Sequence, residues 1–427
     1  MKKATVLILA VALITSLAII GCGETTSTTT ASSQAVTSET TPQSTTESSA
    51  STTTGEAKVL KIGLLEAETG WWAAALGTVT IQVCDAYVDW FNKKGGLTIN
   101  GERYIVQLVK GDTKSTFDGV AAAANKLIYE DGVKFIVGPT GPFTPPASSV
   151  TNAAQVVLFP GWITNTPGEV DATTPYSFTS SYGNIPATIA SIKYVRKTYP
   201  EVKKVAVIGI DDGVTPYIDP IINEYLAKEG FTRVGGTIEY SNEQEDFSPI
   251  VSKILEAKDA EALIFDRGAV PMTAALMKGL RSSGCQLPCI QTVAVTLDDV
   301  VAIAGSAAEG LSTGHVVRGD PGLTPEMAEV IAQYDAKYGS TASLAVQNVV
   351  SLDIVLRVIE KAQSLEPSKF KETFESLDTI DTLCGTGRVC GEQTLGIKHL
   401  VAHPWSMARY EGGKVIPGGW IDPGFIP

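Results

Sequence analysis

From Lys58 onward, short apolar runs alternate with longer amphipathic stretches. A chain patterned this way must sandwich its strands between helices, which is how parallel sheets bury both faces. The spacing predicts strands at 59–65, 104–109, 134–138 and 156–159, with helices at 73–94, 117–131 and 146–154 between them. The first helix stops at Lys93-Lys94-Gly95-Gly96, with cations in the last turn and glycine just past it. The alternation then restarts, with helices at 184–199, 217–229, 247–257 and 270–283 and strands at 204–210, 234–240, 262–265 and 289–293. Helices at 324–338 and 345–363 follow, and the glycine-rich part from Gly385 reads as short strands and turns. Two α/β units of similar size are therefore expected. The aperiodic segment 161–180, with its Pro, Gly and Thr, fits a crossover between them.

The 427 residues allow two domains and an additional segment. A net charge of −13 argues against nucleic acid as a partner, because phosphate binding needs clustered Lys and Arg.

The N-terminus opens on Met1-Lys2-Lys3, continues almost wholly apolar to Ile20, and reaches Gly21-Cys22. A basic start, an apolar run and a small residue before the cut site form an export signal, here residues 1–21. The end Ile19-Ile20-Gly21-Cys22 resembles a bacterial lipobox, which implies cleavage before Cys22 and a lipid on its sulfur. A plain transmembrane anchor is the alternative, since the run nearly reaches spanning length. Either way the folded part is expected outside the cytoplasm, in a periplasm or at a cell surface. Residues 22–57, mostly Thr and Ser after the Cys, carry no apolar periodicity and read as a disordered tether.

Five cysteines remain. An oxidising compartment permits disulfides, so Cys384 with Cys390 and Cys285 with Cys289 are candidate loop staples, while Cys84 on a helical stretch reads as a buried thiol. His315, His399 and His403 do not stand at ligand spacing from the Cys pairs, so no metal is expected, and nothing points to a cofactor.

In open parallel sheets ligands sit beyond the carboxyl ends of the strands, where the strand order reverses. The loops to inspect are thus 66–72, 139–144, 160–164, 211–217 and 266–269. They collect Trp71, Trp72, Phe143, Trp162 and Tyr217 with the hydroxyls of Thr140 and Thr164, the backbone of Gly141 and the cation Arg267. That mixture suits a small ligand with an apolar body and a polar or anionic end. Other roles are open to these residues. Trp71 and Trp72 serve equally well as lid or packing residues, Arg267 pairs equally well with Asp266 or Asp212 at the rim, and Tyr217 could cover a helix face.

Leu60-Lys61-Ile62-Gly63-Leu64-Leu65 with Thr69-Gly70, Asn92-Lys93-Lys94-Gly95-Gly96-Leu97 with Asn100-Gly101, and Gly111-Asp112-Thr113 through Ile136-Val137-Gly138-Pro139 occur in order. Glu245-Asp246-Phe247-Ser248-Pro249 and Ala308-Glu309-Gly310-Leu311 follow them. Together they resemble the type I periplasmic solute-binding proteins of the leucine/isoleucine/valine class. The resemblance implies two doubly wound α/β lobes joined by a three-crossover hinge and closing on a ligand. Lobe one is expected at 58–181 plus 316–403, lobe two at 182–315 plus 404–427. It also implies a monomer, an ABC permease in the membrane as partner, and no covalent chemistry.

In amino-acid-binding members, lobe-one hydroxyls and N–H groups hold the ligand carboxylate, and Thr140, Gly141 and Thr164 approximately match those positions. An acid in lobe two holds the ammonium there, whereas the matching stretch here, Gln291-Thr292-Val293-Ala294-Val295, has none. An ammonium buried there would lack its partner. The expected ligand is therefore an aromatic or apolar carboxylate, or a related amide, stacked on Trp162, Trp71, Trp72 and Phe143, with Arg267 reaching from the far side. A branched-chain amino acid or a ligand-sensing role is the alternative. An enzyme is disfavoured, since no Gly-x-Ser-x-Gly, P-loop or His-Glu-x-x-His occurs. A purely structural surface lipoprotein would lack the cleft.

Overall fold

A computed structural model describes residues 56–241, 243–293, 295–341 and 343–424. The export signal, Cys22 and all but the end of the tether lie outside them. The first third of the fold contains β1 (Lys58–Glu66), α1 (Thr78–Lys93), β2 (Leu97–Ile99), β3 (Glu102–Asp112), α2 (Phe117–Tyr129), β4 (Phe135–Val137), α3 (Thr144–Ala153) and β5 (Val157–Phe159). Next come β6 (Thr179–Ser180), α4 (Asn184–Thr198), β7 (Lys204–Asp211), α5 (Thr215–Lys228), β8 (Thr232–Arg233), β9 (Ile238–Ser241), α6 (Ser248–Glu256), β10 (Ala262–Asp266), α7 (Val270–Ser282), β11 (Cys289–Gln291), α8 (Leu297–Ala304) and β12 (Leu311–Thr313). The remainder holds β13 (Val316–Val317), α9 (Pro325–Tyr338), β14 (Ser343–Leu344), α10 (Gln347–Ala362), α11 (Pro367–Ser376), β15 (Thr379–Thr382), β16 (Gly385–Cys390), β17 (Leu400–Ala402), β18 (Trp405–Glu411) and β19 (Lys414–Ile421).

These form two doubly wound sheets. The first runs in the order β2-β3-β1-β4-β5, and the second β19-β18-β12-β11-β10-β7-β8, with β9 also on β7. Ile62, Leu64 and Leu65 of β1 are wholly buried, as a strand covered by helices on both faces requires. Helix starts follow local chemistry: the Thr116 hydroxyl accepts the Gly119 N–H to cap α2, and Thr324 caps α9 ahead of Pro325.

Three features depart from the expected pattern. Segment 161–180 is not the crossover, because Leu158 and the stretch 176–178 exchange backbone hydrogen bonds and extend the first sheet through β6 to β17, β16 and β15. The chain leaves that sheet only after Ser180. Helix α11 was missed because just two of its residues, Phe370 and Phe374, are buried, too few to set a period. The Cys384–Cys390 staple does not form. The two thiols flank the extended β16, and six residues of strand span about 20 Å, far beyond disulfide reach. All five described cysteines are free, with Cys289 Sγ against the Leu287 carbonyl at 3.4 Å and Cys84 buried.

Three short passages lead out of these sheets: β6 to α4, β12 to β13, which pairs with β14 in a separate two-stranded sheet, and β17 to β18. β6 and β12 run parallel to the central strands of their sheets and end at these passages. The carboxyl ends of both sheets therefore face the junction. Among the described residues, no helix is long and apolar enough to cross a membrane.

Candidate functional site

The chain order of each sheet reverses once, between β1 and β4 in the first and between β7 and β10 in the second. The loops at those two points meet the junction, and each is built around a buried carboxylate.

In the first, Glu66 ends β1 and turns inward at 1% exposure. It accepts the Ala67 N–H at 2.9 Å, the Thr140 N–H at 3.1 Å, the Thr140 hydroxyl at 2.7 Å and the Asn348 amide at 3.0 Å. Burial raises its pKa, and these donors oppose the rise. The Trp72 indole N–H donates to the Thr140 hydroxyl at 2.8 Å, so that hydroxyl is used on both sides. Gly141, at φ +73°, lies under the Trp72 ring: a Cβ there would stand 2.9 Å from Cζ2. Trp71, Trp72 and Phe143 form an aromatic group with centroids 5.1–6.2 Å apart, and Phe117 joins at 5.7 Å from Phe143. Sequence order thus brings Trp71, Trp72, Thr140, Gly141 and Phe143 together.

Thr164 sits apart from them. Its N–H and hydroxyl go to the carboxylate of Glu169 at 3.0 and 2.9 Å, and Thr166 N–H adds a third bond at 2.8 Å. Burial raises the Glu169 pKa, again against donors from its own loop. Trp162 is 5% exposed, donates its indole N–H to Asn184 at 3.0 Å, and packs edge-on to Trp405 at 5.8 Å. It pins the loop after β5 against the first crossover.

In the second sheet the buried carboxylate is Asp266, and its partner is Arg267 at 2.9 Å. Burial raises the Asp266 pKa, and the guanidinium counters it. The same guanidinium also pairs with Asp212 and donates to Ile210 O at 3.1 Å and the Thr215 hydroxyl at 2.9 Å. Arg267 adopts φ +64°, uncommon for a residue with a Cβ. It is held there by Gln291, which donates to its carbonyl, and by Thr292, whose hydroxyl accepts its N–H at 3.1 Å. Tyr217 is 49% exposed on the first turn of α5. Among the described residues no cluster of three His, Cys, Asp or Glu side chains could hold a metal.

Glu66, Glu169 and Asn348 escaped the sequence reading as site residues. Glu66 stood in an inspected loop, but its inward turn is set by Thr140 and Asn348, which lie 74 and 282 residues away.

A model of the family described as "periplasmic binding protein" matches residues 59–414. Similar solved structures include a leucine-binding protein of Thermotoga maritima, at 18% identity over 85% of this chain and 99% of that one, TM-score 0.69. The branched-chain amino acid transporter substrate-binding protein of Streptococcus pneumoniae, in complex with isoleucine, matches at 18% identity over 84% and 98%, TM-score 0.66. A solute-binding protein of an ABC transporter from Rhodopseudomonas palustris, in complex with 3,4-dihydroxybenzoic acid, matches at 19% over 86% and 99%, TM-score 0.66.

Proposed function

Because the chain belongs to the periplasmic binding protein family, whose members bind solutes rather than transform them, we propose that it is the extracytoplasmic solute-binding component of an ABC importer. It captures a small solute with an aromatic or apolar body between two lobes and hands it to a membrane permease. The observation that carries this reading is the convergence of both switch-point loops on the three-passage junction, with Trp71, Trp72 and Phe143 on one side. The extension of the second sheet by β18 and β19 supports lobe one at 58–181 plus 316–403 and lobe two at 182–315 plus 404–427. Cys22 as a lipid anchor completes the proposal, keeping the protein beside its permease.

The aromatic or apolar acid is one reading of the solute, and the dihydroxybenzoate-bound relative favours it. Against it, the hydroxyls suited to a carboxylate, those of Thr140 and Thr164, already serve Glu66 and Glu169. A thermal-shift screen against aromatic acids, amides and branched-chain amino acids tests the function. A solute at a hundred times its Kd adds about 2.7 kcal/mol of stability. That gain should vanish in Trp72→Ala. A gain that Trp72→Ala leaves intact would move the site elsewhere.

A further inference from the structure

The junction is strongly acidic. The lobe-one strand ends and loops (66–72, 112–116, 138–143, 160–169) carry Glu66, Glu68, Asp112 and Glu169 against Lys114 alone. Their lobe-two counterparts (211–214, 241–247, 266–269, 291–296) carry six acids against Arg267, which is already paired twice. A recess lined by one sign of charge concentrates the opposite sign and repels its own.

Two buried side-chain oxygens nearby have no partner. Gln347 Oε1 has no partner, is buried, and lines a small cavity at the crossovers with Tyr182, His315 and Ser406. Asn348 Oδ1, also buried and unpartnered, faces Gly161, where a Cβ would stand 1.6 Å from it. Trp405 Nε1, a single donor, also lacks a partner and faces Gly314. Asn348 connects through Glu66 and Thr140 to Trp72, so its amide and the aromatic group belong to one hydrogen-bonded chain. Trp71 at 60% and Phe117 at 57% exposure leave ring surface open beside it.

Acceptors without donors, a surplus of carboxylates and open aromatic faces all favour one chemistry. We propose that the solute is a small organic cation, an amine or ammonium with an apolar or aromatic body, its N–H or N–CH groups facing acceptors and its charge lying against the indoles. This rests on the reading of the junction as a solute site and sharpens it. A carboxylate would meet the occupied hydroxyls of Thr140 and Thr164 and a repulsive field.

The test titrates the purified protein with phenethylamine, choline, benzoate and isoleucine, followed by calorimetry at low and high salt. An amine should bind at least about tenfold more tightly than benzoate, as expected where charge sets specificity. The double variant Glu68→Gln/Asp211→Asn, altering exposed acids only, should weaken amine binding by about threefold at low salt and not at high salt. Tighter binding of benzoate or isoleucine than of either amine overturns the inference. If Trp71→Ala abolishes that binding, the cleft reading survives. Amine binding unchanged in both Trp71→Ala and Trp72→Ala places the site elsewhere and overturns both. Absence of binding by every probe overturns the inference.

Discussion

Both switch-point loops bury a carboxylate, but they neutralise it differently. Glu66 is held by neutral donors: two backbone N–H groups, a hydroxyl and an amide. Asp266 has one neutral donor, the Thr292 hydroxyl at 3.2 Å, and is otherwise held by the guanidinium of Arg267, which it shares with Asp212. Spread over several donors, a buried charge tolerates the loss of any one. Balanced by a single opposite charge, it does not, because removing the partner leaves the full desolvation cost unpaid. The loop around Glu66 should therefore accept polar change better than the loop around Asp266.

The largest effect should come from Arg267→Leu. It strands Asp266 at 1% exposure and should cost about 3–5 kcal/mol in urea unfolding. Adding Asp266→Asn should recover part of that loss. A cost below about 1 kcal/mol would show that the pair is not what balances Asp266. Glu66→Gln should cost less, about 1–3 kcal/mol, because one acceptor becomes a donor facing donors while no charge is left unpaired. Equal costs at the two sites would break the contrast. The smallest effect belongs to Trp162→Phe. It keeps the ring against Trp405, gives up the bond to Asn184, and should cost about 1 kcal/mol with unchanged solute affinity. A tenfold fall in affinity would instead place Trp162 in the pocket.

How far each site could be read from sequence follows the same division. Trp71, Trp72, Thr140, Gly141 and Phe143 could be picked out because strand-end loops in a βαβ pattern are where ligands collect. The pairing of Arg267 with Asp266 and Asp212 was one of two roles open to it, since neighbours in sequence and loops at one sheet edge are the obvious partners. The partners of the Trp162 ring, Asn184 and Trp405, stand 22 and 243 positions further on and left no mark in its loop. The crossover was misplaced because a segment without periodicity looks like a link whether or not it hydrogen-bonds to a strand edge.

Periodicity, caps and turn residues act between near neighbours, so the sequence alone determined the α/β alternation, the doubly wound class, the resemblance to solute-binding proteins and the loops at the strand ends. Which polar groups in those loops the fold itself uses depends on partners 74 and 282 positions away. Asn348 reaching Glu66 and Glu66 reaching Thr140 are contacts with no local pattern. Buried polar groups must be satisfied by whatever the packed chain brings within reach, and only the tertiary structure decides that.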